Sequence, residues 1–258
     1  MGFTQFLFNV AKRNIFFNNT DDQEVDWYEK TKVIFGEKGA TFETRTDWVT
    51  VMAIRNLTTA SRNKANGVFD DFIIVAWTTV YKGKGRIRWQ SFQANTDPSF
   101  QYMEGRNDGI ARKDQIRPGK TNEGYDADGD GKVDLGMLPP GAYQYYTVPS
   151  VPKNAVLGTV FKPVANPNNP LGIKVFRDSN RDGNFTQDDE AMIKNQDSMY
   201  EGYTMYIHRA SRVKQPDNTW SADCQTMHLE DFEKFKEILA VAAKSGQKTF
   251  TYLLVNNW

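Results

Sequence analysis

The residues most capable of covalent chemistry are a cysteine and a histidine in the stretch Tyr203–Gln225. Cys224 is the only cysteine of the chain and His208 is one of two histidines; they lie sixteen positions apart, with Ser221 just before the cysteine. A thiol attacks a carbonyl carbon as the thiolate, so it needs a base or a cation nearby. The pair therefore predicts a thiol nucleophile with an imidazole base.

His208 is the better candidate for that base. His228 follows Cys224 by only four positions, at the start of a predicted helix, whereas His208 ends a predicted strand. Two neighbouring strand ends would bring His208 against the thiol, and a cysteine just before a helix also lies near its positive dipole end. The alternative is structural, because a lone cysteine often serves as a small buried apolar residue.

Composition limits the classes of function. The 258 residues are 39% hydrophobic and 25% charged, with 32 basic and 32 acidic side chains, so no net field attracts nucleic acid. The sequence has no apolar run long enough to span a bilayer, and one cysteine excludes an internal disulfide. The N-terminal segment lacks the features of a secretory signal, so we expect synthesis without a signal peptide.

The hydrophobic pattern predicts a single β-rich α+β domain over residues 31–258, preceded by an arm or short helix over 1–30. Residues 18–30 are predicted to be a loop, and 228–244 an amphipathic helix. Long loop insertions are expected at about 101–140 and 178–195. Alternating or continuous apolar runs predict strands over 32–36, 40–44, 48–57, 72–81, 86–94, 141–149, 171–178, 201–208 and 249–255.

The motifs IHR at 207–209 and WSADCQ at 220–225 resemble the active site of the L,D-transpeptidase catalytic domain family. That family carries a histidine, a gap and then Ser-x-Gly-Cys, and the likeness is greatest to a branch found in phage and secreted cell-wall proteins. The late helix and final strand are similar too, as are Ile54–Asn56, the strand before Asp97 and the segment Pro140–Tyr143. The resemblance covers most of residues 45–255 and implies a β-sandwich or barrel with one late helix.

The resemblance also implies roles for individual residues. Cys224 would be the nucleophile, His208 its base, and Ser221 with the backbone around Ala222–Cys224 would shape the oxyanion site. The family attacks the carbonyl of an L-centre that precedes a D-residue or a cross-link, forms a thioester, and passes the acyl group to an amine or to water. The substrate-binding positions that it implies are Tyr203, Arg209, Ala222 and Gln225.

Two departures from the family pattern bear on activity. Asp223 stands where the family has glycine, and glycine permits a positive φ and close approach of substrate to the backbone. A carboxylate there should raise the thiol pKa, or it should instead orient His208. A histidine that the family often carries after the Gly-x-Tyr strand is missing, because the segment here reads TVPS over 147–150.

Two acidic loops have the spacing of calcium ligands. The first has the pattern of an EF-hand loop without its closing ligand, and the second fits all twelve positions with aspartate at the last. Solvated Asx turns are the alternative explanation. The predicted structural Ca²⁺ ligands are Asp126, Asp128, Asp130, Asp134, Asp178, Asn180, Asp182, Asn184, Thr186 and Asp189.

The sequence thus predicts a cysteine-dependent enzyme of peptidoglycan stem peptides, an L,D-carboxypeptidase, endopeptidase or transpeptidase. A phage lysin or a delivered antibacterial effector would fit, acting in the periplasm or cell wall after export, injection or lysis. Its partners would be peptidoglycan peptides, with delivery machinery or an immunity protein. One alternative is a catalytically inactive structural or cell-wall-binding module of a virion or injection apparatus. Another is a calcium-stabilised carbohydrate-binding β-domain.

Overall fold

The computed structural model describes residues 21–56, 69–97, 136–150, 158–164, 173–177, 201–202, 205–210, 221 and 224–257. These contain two helices, α1 (Asp21–Glu37) and α2 (Leu229–Lys244). The longer strands are β1 (Val49–Arg55), β2 (Asp71–Tyr81), β3 (Lys84–Asn95), β5 (Gly141–Tyr146) and β12 (Thr249–Asn256). The short strands are β4 (Gly136–Met137), β6 (Val160–Phe161), β7 (Ile173–Lys174), β8 (Phe176–Arg177), β9 (Glu201–Gly202), β10 (Ile207–Arg209) and β11 (Gln225–Met227).

Eight strands form one sheet in the order β5-β12-β1-β2-β3-β11-β10-β6. Its pairs are antiparallel except β1 with β12 and β10 with β11, which are parallel. The edge strands β5 and β6 also approach each other through bridges at Tyr145–Pro163 and Ser150–Val160, so the sheet is a nearly closed barrel. The predicted β-rich α+β class is confirmed.

The barrel interior and the buried side of α2 form one apolar core. Phe232, Phe235, Leu239 and Ala242 of α2 pack among inward-facing residues such as Phe92, Phe161 and Phe250. These positions recur at helical spacing, so the predicted helix over 228–244 is confirmed. The helix ends as expected at Gly246 (φ +92°), where the Gln247 N–H donates to the Ala242 carbonyl.

Helix α1 covers the outer face of β1, β2 and β3, and it overturns two predictions. Residues 21–37 are helical, so the loop predicted over 18–30 and the strand predicted over 32–36 are wrong there. Tyr28, Ile34 and Phe35 lie on one side of this helix and pack against outward-facing sheet residues. Gly39 (φ +63°) ends the helix rather than separating two strands, because the Ala40 N–H donates to the Phe35 carbonyl.

Three other predicted strands differ from the structure. Residues 40–44 form no strand, because the Thr44 and Arg45 N–H groups donate to the Glu43 carboxylate instead of a neighbouring strand. The strand predicted over 171–178 is two short strands with different partners, β7 with β9 and β8 with β4. The described part of 201–208 likewise divides between β9 and β10, which lie in different sheets.

A fully buried ion pair fastens one end of the barrel. The Arg55 guanidinium lies 3.1 Å from Asp97 Oδ1, and its Nε donates to the Thr96 hydroxyl at 3.0 Å. That hydroxyl donates to Asp71 Oδ2 at 2.6 Å, so one threonine links cation and carboxylate. We call Arg55, Asp71, Thr96 and Asp97 the Arg55 clasp. Burial, reinforced by neighbouring carboxylates, raises the pKa of Asp71 to about 7 and that of Asp97 well above its usual range.

No helix among the described residues is long and apolar enough to cross a membrane.

Candidate active site

Strands β10 and β11 position His208 and Cys224, the two residues best suited to covalent chemistry. They run parallel, with Ile207 opposite Gln225, His208 opposite Thr226 and Arg209 opposite Met227. The Gln225 N–H donates to the Tyr206 carbonyl at 2.9 Å, which fixes this register where Cys224 precedes β11. Parallel neighbours need a connection of a dozen or more residues, and residues 210–224 supply it.

The register makes His208 and Cys224 diagonal neighbours on adjacent strands. Cys224 lies beside Tyr206, two positions before His208, which corresponds to about 8 Å between Cα atoms for ordinary strand spacing and rise. Ile207 and Met227 point into the barrel core, so by alternation His208 and Cys224 share the other side. His228 lies four extended residues from Cys224, about 13 Å away, and its ring stacks on Phe69 instead.

His208 is held as a neutral imidazole of defined tautomer. Its side chain is 1% exposed, and its Nδ1 lies 2.7 Å from the Arg209 carbonyl oxygen. A carbonyl can only accept, so Nδ1 carries the hydrogen and Nε2 carries the basic lone pair. Burial is the main cause that lowers the His208 pKa to about 4.

Cys224 is 7% exposed, and Ser221 fixes the backbone that leads into it. The Cys224 N–H donates to the hydroxyl oxygen of Ser221, three positions earlier in the chain. The N–H at the candidate nucleophile is therefore already engaged by Ser221. An oxyanion bound at this N–H would have to displace the serine hydroxyl.

Two tyrosines that the sequence did not point to, Tyr206 and Tyr145, interact electrostatically with Cys224. Burial raises the pKa of Tyr206, and the nearby Cys224 adds to that rise. Burial also raises the pKa of Tyr145, with smaller contributions from Tyr252, Tyr143 and Cys224. The Tyr145 hydroxyl donates to the Met205 carbonyl at 2.6 Å and so anchors the segment before β10. Tyr206 could have been found from the parallel register, whereas Tyr145 depends on barrel closure.

The other described candidate residues, Gln225 and Arg209, are neighbours of this pair in the sequence, but their side chains contact other parts of the barrel. Gln225 is fully buried, and its Oε1 accepts from the Tyr252 hydroxyl at 3.2 Å inside the barrel. The Arg209 guanidinium lies against Gly158, where a Cβ would approach its Nε to 3.3 Å. Gly158 also has φ +67°, so glycine suits both the backbone and the close approach.

Several predicted residues lie outside the described part of the chain. They include Tyr203, Ala222 and Asp223 beside the candidate pair. All ten predicted calcium ligands, in the loops 126–134 and 178–189, also lie outside it. Among the residues that are described, no group of three or more His, Cys, Asp or Glu side chains could hold a metal ion.

Comparisons with known proteins do not assign this arrangement to a family. No protein-family model matches the chain, and neither a search of curated proteins nor a search of solved structures finds a similar one.

The lowered pKa of His208 favours proton transfer during attack over a preformed ion pair. An imidazole with a pKa near 4 stays neutral at pH 7, so a resting thiolate–imidazolium pair is disfavoured. A neutral Nε2 can still accept the thiol proton as the sulfur attacks, which is general-base catalysis. The held tautomer keeps that lone pair on the nitrogen that does not contact the backbone.

Proposed function

We propose that the chain is a cysteine-dependent enzyme that cleaves or exchanges peptidoglycan stem peptides, with Cys224 as nucleophile and His208 as base. The observation that carries the proposal is the parallel pairing of β10 with β11, which puts these residues diagonally on adjacent strands. The neutral His208 tautomer, set by the Arg209 carbonyl, supports it. The substrate class rests on the resemblance of IHR and WSADCQ to L,D-transpeptidase catalytic domains.

The reaction would begin with transfer of the Cys224 thiol proton to His208 Nε2. The sulfur forms a bond to the carbonyl carbon of an L-centre that precedes a D-residue, giving a tetrahedral oxyanion. His208 then returns its proton to the amine of the departing D-residue as the C–N bond breaks, leaving a thioester. Water or another amine attacks the thioester, releases the thiol, and completes hydrolysis or exchange.

The wider proposal is an L,D-transpeptidase-like domain over residues 31–258 that meets peptidoglycan in the periplasm or cell wall. A phage lysin or a delivered antibacterial effector would reach it by lysis, export or injection, and would have delivery machinery or an immunity protein as partner. Ser221 would hold the backbone at the nucleophile, because its hydroxyl accepts the Cys224 N–H. Asp223 would modulate the thiol by its charge.

Incubation with purified muropeptides followed by mass spectrometry tests the proposal. We expect loss of a terminal D-residue, cross-link cleavage or amino-acid exchange with the wild-type protein, and none with Cys224→Ala or His208→Gln. His228→Gln is the matched control, because it removes the other histidine and should keep activity. Identical products from the wild type and Cys224→Ala would refute the catalytic role.

The second candidate is a structural or wall-binding module without catalysis. The observation in its favour is burial, since Cys224 is 7% and His208 1% exposed. It predicts sedimentation of the protein with insoluble peptidoglycan, equal for the wild type and Cys224→Ala, and no new muropeptide. Cysteine-dependent products in the same incubation would exclude it.

A further inference from the structure

One end of the barrel combines exposed apolar side chains with unusual basicity. At this end β1, β3 and β12 begin, and β2, β5 and α2 finish. Helix α2 is fixed there by the Trp48 indole, which donates to the Ser245 carbonyl at 3.1 Å. The part of the chain that the structure describes has seven exposed large apolar residues, and five of them lie at this end: Val80, Tyr81, Tyr146, Val148 and Val241.

At this end the β2–β3 hairpin extends past the strands beside it in the described part of the chain. Beyond Trp77 and Thr78, its pairs Thr79–Arg86, Val80–Gly85 and Tyr81–Lys84 have no third strand beside them among the described residues. Lys82 (φ +50°) and Gly83 (φ +74°) both have the positive φ of a type I′ turn, which gives a tight, preorganised tip. Every residue from Val80 to Gly85 is exposed.

Charge at this end favours an anionic partner. Residues 77–88, the part of the hairpin at this end, contain four basic side chains and no acidic one, although the whole chain is neutral. Exposed lysines occur at the tip (Lys82 and Lys84) and around the finish of α2 (Lys244 and Lys248). Of the acidic residues nearby, Glu24 is buried and pairs with Arg88 at 3.2 Å. Glu43 and Asp47 are half-buried, and Glu43 is paired with Arg45.

We propose that this end of the barrel docks on an anionic lipid bilayer, with the β2–β3 hairpin tip at the headgroup level. A convex tip with apolar residues beside lysines suits a flat interface, where tyrosine rings and the lysine charge are both favourable. A soluble polyanion would be bound through charge alone and would leave Val80 and Tyr81 in water. The lysine stems can extend along the surface while their charges meet the headgroups. This proposal does not depend on the Cys224–His208 reaction.

Vesicle flotation tests the docking surface with the full chain. We expect binding to vesicles of phosphatidylglycerol mixed with phosphatidylcholine, weakening with added salt, and little binding to phosphatidylcholine alone. Each lysine near an anionic surface contributes about fivefold, so Lys82→Ala/Lys84→Ala should lower the partition coefficient by about 30-fold. Tyr81→Ser should also lower it, and should do so even at high salt.

The control removes the same charge elsewhere. Lys234→Ala/Lys236→Ala lies in the first half of α2, nearer the other end of the barrel, and should leave binding unchanged. Equal loss in both double variants would show attraction by charge alone and overturn the proposal, as would no binding to anionic vesicles. Binding of soluble polyphosphate with the same lysine dependence, with no effect of Tyr81→Ser, would assign the surface to a phosphate polymer instead.

Discussion

The burial of His208 gives the sharpest test of the site, because it predicts that this histidine stays neutral over the pH range in which histidines usually titrate. Its pKa is about 4, against about 6.5 for an unperturbed imidazole. At pH 5.5 an exposed histidine is about 90% protonated, whereas His208 should be only about 3% protonated. The chain has two histidines, so ring NMR signals can be assigned with a single His228→Gln variant.

The NMR experiment also reads the tautomer. We expect the His208 ring nitrogens to show hydrogen on Nδ1 and a lone pair on Nε2 from pH 8 to about 5, because Nδ1 donates to the Arg209 carbonyl. A His208 midpoint near 6.5, or hydrogen on Nε2, would refute both the burial argument and the proposed general base. His228, half-buried and stacked on Phe69, supplies the second signal within the same sample.

The same shift has a consequence for stability. Between pH 6.5 and 4 the unfolded chain binds a proton at this residue that the folded chain does not, so its contribution falls as pH decreases. The loss should be about 2 kcal/mol by pH 5 and about 3 kcal/mol by pH 4, relative to pH 7.5. Urea unfolding of the wild type and of His208→Gln at each pH measures this contribution. The contributions of Asp71 and Asp97 to the pH dependence are present in both proteins and cancel in the difference between their free energies of unfolding. Parallel pH curves for the two proteins would contradict the shift.

Two further predictions concern the Arg55 clasp and the acidic loops. Thr96→Val removes the hydroxyl that links Arg55 to Asp71, so it should lower the free energy of unfolding by about 1–3 kcal/mol. Urea unfolding would measure this, with the half-buried Thr249→Val as control, and equal stability of the two variants would contradict the role of the hydroxyl. If the loops 126–134 and 178–189 bind structural Ca²⁺, millimolar calcium should raise the melting temperature through mass action. No change on calcium addition would contradict the proposed sites.

Local sequence patterns predicted the long strands and α2 because their signals are strong and short-range. Strands β1, β2, β3, β5 and β12 each lie within or within a few residues of a predicted run. Helix α1 was missed although Trp27, Tyr28, Thr31, Ile34 and Phe35 have helical spacing. The apolar run of residues 33–35, with two β-branched residues and a phenylalanine, looked like a strand when read apart from the two aromatics before it, and packing on the sheet favours the helix.

Long-range arrangement could not be read from such patterns. The Arg55 clasp joins Arg55 to Thr96, which is 41 positions away. Arg55 also donates to the Leu138 carbonyl, 83 positions away. Its members looked like ordinary strand ends in the sequence, and the pairing of β1 with β2 and of β2 with β3 brings them together at one end of the sheet. The hydrogen bond from the Tyr145 hydroxyl to the Met205 carbonyl depends on barrel closure, because β5 and β10 belong to opposite parts of the sheet.

The candidate site depends on one register that the sequence pattern alone could not specify. Shifting β11 by one residue against β10 would turn Cys224 to the other side of the sheet from His208. That shift is opposed by burial, because it would also move Met227 out of the core and Gln225 away from the Tyr252 hydroxyl. Met227 in the core and the Gln225 amide bonded to Tyr252 therefore hold Cys224 on the same side of the sheet as His208. The sequence supplied the pair and a spacing long enough for a parallel crossover, and the core of the barrel selects the alignment.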